Sequence, residues 1–326
     1  MGPLTPPLKA ELERNSRALG VEVSWTRLSE YLRYVEQDRL CKPSTVQGYR
    51  SAIRAHLLPA FGSMAVEEVT PEAIERWLIG FEGSARTRNK LLIQLHGILG
   101  RAKKVYRLPS NAAAEVERAP QRRSGDIDVF SPEEIWALVR AAGSEQDAAI
   151  YLTAAFTGLR MGELLALRWR DVDFTGSTVR VRASYAGGQL TTPKSGKVRA
   201  VPLAPDVAAA VARLAERGMF VSDDDLVFAG EVGGYLDGSA LRRRYVDALG
   251  RAGLRRLRFH DLRHTFGTRM IGKADIRRIQ EWMGHADVQT TMKYLHYAPR
   301  TEDALLVAEA FRIAEPSSDS ESTHTP

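Results

Sequence analysis

Residues 260–266 read His-Asp-Leu-Arg-His-Thr-Phe, and the rest of the chain is best read outward from this run. On a helix, side chains three positions apart share a face, so His260 and Arg263 point the same way. That pair suits an anionic oxyacid. Arginine holds two oxygens with a planar fork that lysine cannot imitate, and histidine exchanges a proton near neutral pH. Upstream, residues 157–164 read Thr-Gly-Leu-Arg-Met-Gly-Glu-Leu. Arg160 and Glu163 are again three apart, so the carboxylate can orient the guanidinium. Residues 194–203 read Lys-Ser-Gly-Lys-Val-Arg-Ala-Val-Pro-Leu, a basic turn running into an extended stretch. A β-hairpin there could deliver Lys194 to a ligand. Downstream, residues 282–285 read Trp-Met-Gly-His and residues 290–296 read Thr-Thr-Met-Lys-Tyr-Leu-His.

Each run alone is weak. Four of them, in this order and with the step from His285 to Tyr294, resemble the catalytic domain of the tyrosine recombinases, the phage integrase family, over about residues 130–300. The resemblance implies an active site of Arg160, Lys194, His260, Arg263, His285 and Tyr294, with Glu163 in support. It implies a site-specific DNA recombinase. Tyr294 would attack a scissile phosphate, form a 3′-phosphotyrosine and free a 5′-hydroxyl. Arg160, Arg263 and His285 would hold the phosphate oxygens, His260 would take the tyrosine proton, and Lys194 would protonate the leaving oxygen. So cationic a site implies no metal ion, no cofactor and no ATP. The family works as a tetramer on two duplexes through a Holliday junction.

The residues themselves leave rivals open. Lys197 competes with Lys194 as the general acid, and Tyr297 competes with Tyr294 as the nucleophile. His260 and His264, four apart, could pair on a metal, although no HExxH run or cysteine cluster accompanies them. Arg160 could simply close the apolar helix before it.

The remainder of the chain falls into blocks. Residues 1–22 form a flexible lead-in. Residues 23–108 carry four helical patterns, opened by Ser24, Pro43-Ser44-Thr45, Thr70-Pro71 and Ala85, and form an all-α unit resembling the family's SAM-like core-binding domain. Residues 109–128 lack periodicity and read as a linker. Residues 129–300 form a mixed α+β catalytic domain, starting at Ser131-Pro132-Glu133-Glu134. Strands are expected from Thr178 to Ser184 and Val198 to Pro202, with a turn at Gly187-Gly188. Residues 301–314 form a terminal helix whose Leu306, Val307 and Phe311 would dock on a neighbouring subunit, or else on its own domain. Residues 315–326 form a disordered tail. The family expectation is a clamp of two domains around duplex DNA.

Of the 326 residues, 46 are Lys or Arg and 40 are Asp or Glu, giving a net charge of +6. The excess is modest, but it clusters, as at Arg242, Arg243 and Arg244. Clustered cations suit a polyanion. Lys42, Thr45, Arg86, Lys90 and Arg242 are the candidate DNA contacts, chosen for charge or family position. The single cysteine, Cys41, excludes a disulfide framework, and no apolar run reaches the roughly 18 residues of a membrane helix. The expectation is a bacterial cytoplasmic protein of the nucleoid, tied to a mobile element, its partners being duplex core sites, copies of itself and accessory DNA-bending or directionality factors. Two other readings share these residues: a type IB topoisomerase-like relaxase, and a DNA-binding regulator without catalysis.

Overall fold

The computed structural model describes residues 31, 34–38, 41, 43–64, 66–106, 108–120, 128–193, 196 and 198–295. Lys42, Lys194, Lys197, Tyr297, the lead-in 1–22, the terminal helix 301–314 and the tail 315–326 lie outside the described residues. Contacts divide the chain into two compact units, with the boundary after Gly125.

The first unit is helical. Helix α1 (Pro43–Ala52) widens into a π turn at Ile53–Leu57 and runs on into α2 (Leu58–Phe61), with Pro59 tolerated in the first turn of α2. Helix α3 (Pro71–Gly80) starts where Thr70 accepts a hydrogen bond from the Ala73 N–H, 3.3 Å away, with proline at the first position. Helix α4 (Ala85–Tyr106) buries Leu91, Leu92, Leu95, Ile98 and Leu99, one stripe at helical spacing. Of these, Leu92, Leu95, Ile98 and Leu99 meet Val35, Ile53, Leu57, Phe61 and Ile74 in one core.

The stretch read as a linker is packed over its first part. Asn111 caps a 3₁₀ turn (Ala112–Ala114), and Ala113 and Val116 enter the helical core. The buried Asn89 amide donates to the Ala119 carbonyl and accepts from the Ala119 N–H, both at 2.8 Å. No periodicity announces this segment, because two apolar residues and one side-chain amide hold it.

The second unit begins with α5 (Pro132–Arg140), where Ser131 and Glu134 close a reciprocal capping box. Helix α6 (Glu145–Thr157) is buried nearly all round and forms the centre of the larger core. Helix α7 (Met161–Leu165) follows after three residues. The strands β1 (Val172–Asp173), β2 (Thr178–Val181) and β5 (Arg199–Pro202) make an antiparallel sheet in the order β1-β2-β5. The strand expected from Thr178 to Ser184 is broken after Val181. Ser184 belongs instead to a separate hairpin of β3 (Ser184–Ala186) and β4 (Gln189–Thr191), turned by Gly187 and Gly188 at φ +58° and +78°. Helices α8 (Pro205–Ala215), α9 (Gly238–Arg251), α10 (Phe259–Met270), α11 (Ile276–Met283) and α12 (Val288–Met292) complete the unit. A small second core of Phe266, Ile271, Ile279, Met283 and Tyr294 ties α10, α11 and the segment after α12 together.

Candidate active site

Three helix ends build the site. Helix α6 stops at Gly158, whose φ of +64° is the left-handed cap that favours glycine. A Cβ there would also lie 2.5 Å from the Phe266 ring. Two residues later Arg160 stands at the N-cap of α7. Its backbone N–H and its guanidinium both donate to Glu163, at 2.9 and 3.0 Å, and its other terminal nitrogen donates to the Gly284 carbonyl at 3.2 Å. Helix α11 ends in the left-handed Gly284, and His285 follows it.

Arg263 projects from α10 into the gap between these ends. It is 2% exposed. Its guanidinium donates to the Gly158 carbonyl at 2.5 Å and the Met283 carbonyl at 2.6 Å, so it ties the ends of α6 and α11 together. Burial first, then the charge of Arg160, pushes its pKa down to about 9. It is still a cation at neutral pH.

Glu163 is the counterion of the set, with 1% of its side chain exposed. It accepts from Arg160 and, through both oxygens, from Arg199 at 3.0 and 2.7 Å. Burial alone would raise its pKa. The hydrogen bond and charge of Arg199, with the Arg160 contacts, outweigh burial and hold it below the ordinary carboxylate range. Arg199, from the first position of β5, also donates through Nε to the Trp282 carbonyl at 2.7 Å. Strand β5 is thereby fixed to both α7 and α11.

His285 and Tyr294 lie beside this cluster. The His285 Nδ1 is 2.8 Å from the Thr291 hydroxyl. The two rings lie nearly parallel, with centroids 6.3 Å apart. Desolvation, then Arg263, Arg160 and Arg199, depress the His285 pKa to about 3, so its ring is neutral at physiological pH. Tyr294 is 2% exposed, and its ring rests on Gly267, where a Cβ would come within 2.7 Å. Burial raises the pKa of its phenol, against the pull of Arg263 and Arg160.

The Tyr294 hydroxyl is 2.8 Å from His264 Nδ1. Sequence reasoning offered His260 for this proton and gave His264 only a share in a metal pair. The reason for the difference is helical pitch. His260 lies a full turn earlier on α10, and its ring meets His264 edge-on, at 4.9 Å between centroids. Desolvation, then His264 and Arg263, lower the His260 pKa to about 4. His260 instead borders a cleft of about 820 Å³, whose walls include Met161, Arg242, Arg243, Arg256 and Arg258.

The structure thus places Arg160, Glu163, Arg263, His285 and Tyr294 close together, Arg160 and Glu163 as an ion pair, His285 and Tyr294 as neighbouring rings, and His260 against His264, which bonds to Tyr294. Arg199, His264 and Thr291 were missed as members. All three lie in the quoted runs, so proximity to the motifs was the signal available. Thr45, Arg86 and Lys90 are exposed on the helical unit, and Arg242 is exposed on α9.

Comparison with known proteins shows the family. The phage integrase family matches residues 128–300, more than half of the chain. The chain belongs to the phage integrase family. It is a tyrosine recombinase, an enzyme that cuts and rejoins DNA. The family's N-terminal SAM-like domain matches residues 26–80. A putative prophage phiRv2 integrase of Mycobacterium tuberculosis is 27% identical over 295 residues, covering 88% of this chain and 78% of that one. Tyrosine recombinase XerC of Xanthomonas axonopodis pv. citri is 27% identical over 290 residues, covering 82% of this chain and 91% of that one. In fold, the chain resembles the Tn1549 transposon integrase bound to a circular intermediate DNA, with a TM-score of 0.71 at 20% identity over 88% of this chain and 99% of that one. It also resembles a lambda integrase tetramer bound to a Holliday junction, with a TM-score of 0.68 at 19% identity over 88% of this chain and 83% of that one. Among the described residues, no helix of this integrase is long and apolar enough to cross a membrane.

Proposed function

We propose that this integrase recombines specific duplex core sites through a covalent bond between DNA and Tyr294. The observation that carries the reading is the convergence of Tyr294, Arg160, Arg263 and His285 on one group built from three helix ends. The phenol oxygen of Tyr294 attacks the scissile phosphorus. The bond from phosphorus to the 5′ oxygen breaks, and a 3′-phosphotyrosine forms. Arg160, Arg263 and the neutral His285 donate to the non-bridging oxygens as charge grows on them.

Proton traffic follows from the imidazoles. Before attack, the Tyr294 hydroxyl must exchange its bond to His264 for one toward the phosphate. His260, neutral at pH 7 and open to the cleft, is the base we assign to the proton that Tyr294 loses, which requires the phenol to leave His264, its partner in the free protein, and turn toward the cleft. Lys194 gives a proton to the departing 5′ oxygen. The second strand's 5′-hydroxyl reverses these steps, so the phosphodiester energy is kept in the phosphotyrosine and no ATP is spent.

The basic cleft beside His260 supports a path for the DNA backbone, with Arg242, Arg243, Arg256 and Arg258 as its exposed cations. Thr45, Arg86, Lys90 and Lys42 would contact the duplex from the helical unit. Exchange between two duplexes calls for four such chains, and the helix 301–314 is the segment we assign to docking between them. DNA-bending or directionality factors would set the direction of exchange, and the setting would be a bacterial cytoplasm.

The test is a nicked duplex carrying a candidate core site, incubated with the wild type and with Tyr294→Phe, in EDTA and without ATP. The reading expects a covalent protein–DNA band on a denaturing gel that the variant lacks. A duplex that is bound specifically yet never becomes attached would replace it with a non-catalytic regulator.

A further inference from the structure

Thr291 is fully buried in α12. Three other buried helical threonines spend their hydroxyls on the carbonyl four residues back, while the hydroxyl of a fourth, Thr268, meets no partner. Thr153 bonds to the Ala149 carbonyl at 2.6 Å, Thr157 to Thr153 at 2.5 Å, and Thr265 to Asp261 at 2.8 Å. Thr291 does otherwise. Its hydroxyl meets His285 Nδ1 at 2.8 Å. The backbone of His285 is held separately, because its N–H donates to the Gln280 carbonyl and its carbonyl accepts from the Gln280 amide, each at 3.1 Å. Ring and backbone are thus pinned by different residues.

The chemistry of the ring makes the first of these pins matter. A neutral imidazole carries one N–H, and the hydrogen bond at one nitrogen decides which nitrogen bears it. Burial first, then the Arg263, Arg160 and Arg199 cations around it, favour that neutral form of His285. If Nδ1 carried the proton, it would donate to the threonine oxygen. The hydroxyl's own hydrogen would then be left without a partner in a buried site, which is costly. Nε2 would meanwhile present a lone pair to an anionic phosphate. If the hydroxyl donates to Nδ1, both faults vanish, and Nε2–H becomes a donor.

We infer that Thr291 is a positioning residue that fixes the Nε2–H tautomer of His285, so that a neutral histidine can donate to the scissile phosphate. The inference rests on the recombinase reading for what His285 donates to, while the tautomer itself is a property of the free protein.

The test has two arms. The first is nitrogen NMR of histidine-labelled, DNA-free protein, with the His285 signals assigned by their loss in His285→Gln. The wild type is expected to show a protonated Nε2 and a bare Nδ1, and the isosteric Thr291→Val to lose that preference. The second arm is single-turnover cleavage on the nicked duplex. Thr291→Val is expected to slow attachment by roughly ten- to a hundredfold, the range found when the outer partner of a metal-bound imidazole is removed. DNA affinity should hold, and Thr291→Ser should recover most of the rate. A wild-type Nδ1–H tautomer overturns the proposal whatever the activity. So does Thr291→Val cleaving at the wild-type rate, or Thr291→Ser failing as badly as valine, since that would make the methyl group the part that counts. Absence of cleavage by the wild type on a bound site would sink the recombinase reading, and the NMR arm would still decide the tautomer.

Discussion

Glu163 holds two guanidinium groups, Arg160 and Arg199, with 1% of its side chain exposed. A buried ion pair adds little net stability over an apolar one, but removing one partner strands the other. Glu163→Ala leaves the Arg199 charge buried without its carboxylate and is expected to cost about 3–5 kcal/mol in urea unfolding. It should also slow cleavage, because Arg160 loses its orienting partner. Histidines set the pH response. The folded pKa values of His260 and His285, about 4 and about 3, lie below the unfolded value of about 6.5. Between those limits the unfolded chain binds more protons, so stability is complete above the unfolded value and falls as pH drops toward the folded ones. The urea midpoint should therefore decline from about pH 7 to about pH 5, and His285→Gln should flatten that decline. At this scale the motifs pointed to residues that the fold brings near one another, Arg160, Arg263, His285 and Tyr294. It was silent where a residue acts on another distant in the chain. Arg199 reaches Glu163 and Trp282, and His264 reaches Tyr294, through contacts that only folding creates.

Helix ends frame the candidate site, and Gly158 and Gly267 leave room for the Phe266 and Tyr294 rings packed against them. Gly267 lies on α10 beneath the buried Tyr294 ring, where a Cβ would come within 2.7 Å of the aromatic carbons. Gly267→Ala is expected to destabilise the catalytic unit by about 1–3 kcal/mol through overpacking, and to reduce covalent attachment because the nucleophile is displaced. Denaturation and single-turnover cleavage on the same variant separate the two effects. In the helical unit, Asn89→Ala removes both bonds to Ala119 and should cost about 1–3 kcal/mol, read from urea unfolding of that unit. Helices were legible because caps and periodicity are local: Thr70-Pro71 and Ser131 open helices where the pattern places them. The sheet was less so. Its break after Val181 follows from pairing, since β2 is matched to β5 only from Thr178 to Val181. Residues 217–228 show why irregular segments resist reading. Arg217 donates to the carbonyls of Met219, Leu226 and Val227 at 2.9, 2.7 and 3.0 Å, which gives order without any period.

For the whole molecule, the net charge of +6 is spread unevenly, with Arg242, Arg243, Arg256 and Arg258 on one cleft. Binding to a core duplex should weaken linearly with the logarithm of salt concentration. If Arg242 neutralises one phosphate, Arg242→Ala should lower the magnitude of that slope by about one, while leaving cleavage of saturated substrate nearly unchanged. The two-part organisation was legible from composition and periodicity, whereas the packing of residues 108–120 on the helical unit was not, since it depends on Asn89, far off in sequence. The central claim concerns one atom, the phenol oxygen of Tyr294. The most direct measurement is to trap the covalent complex on a nicked core site, digest protein and DNA, and locate the nucleotide-bearing peptide by mass spectrometry. The account predicts a phosphodiester remnant on Tyr294 in wild type and none in Tyr294→Phe. A remnant on Tyr297, or on any residue other than Tyr294, would contradict it.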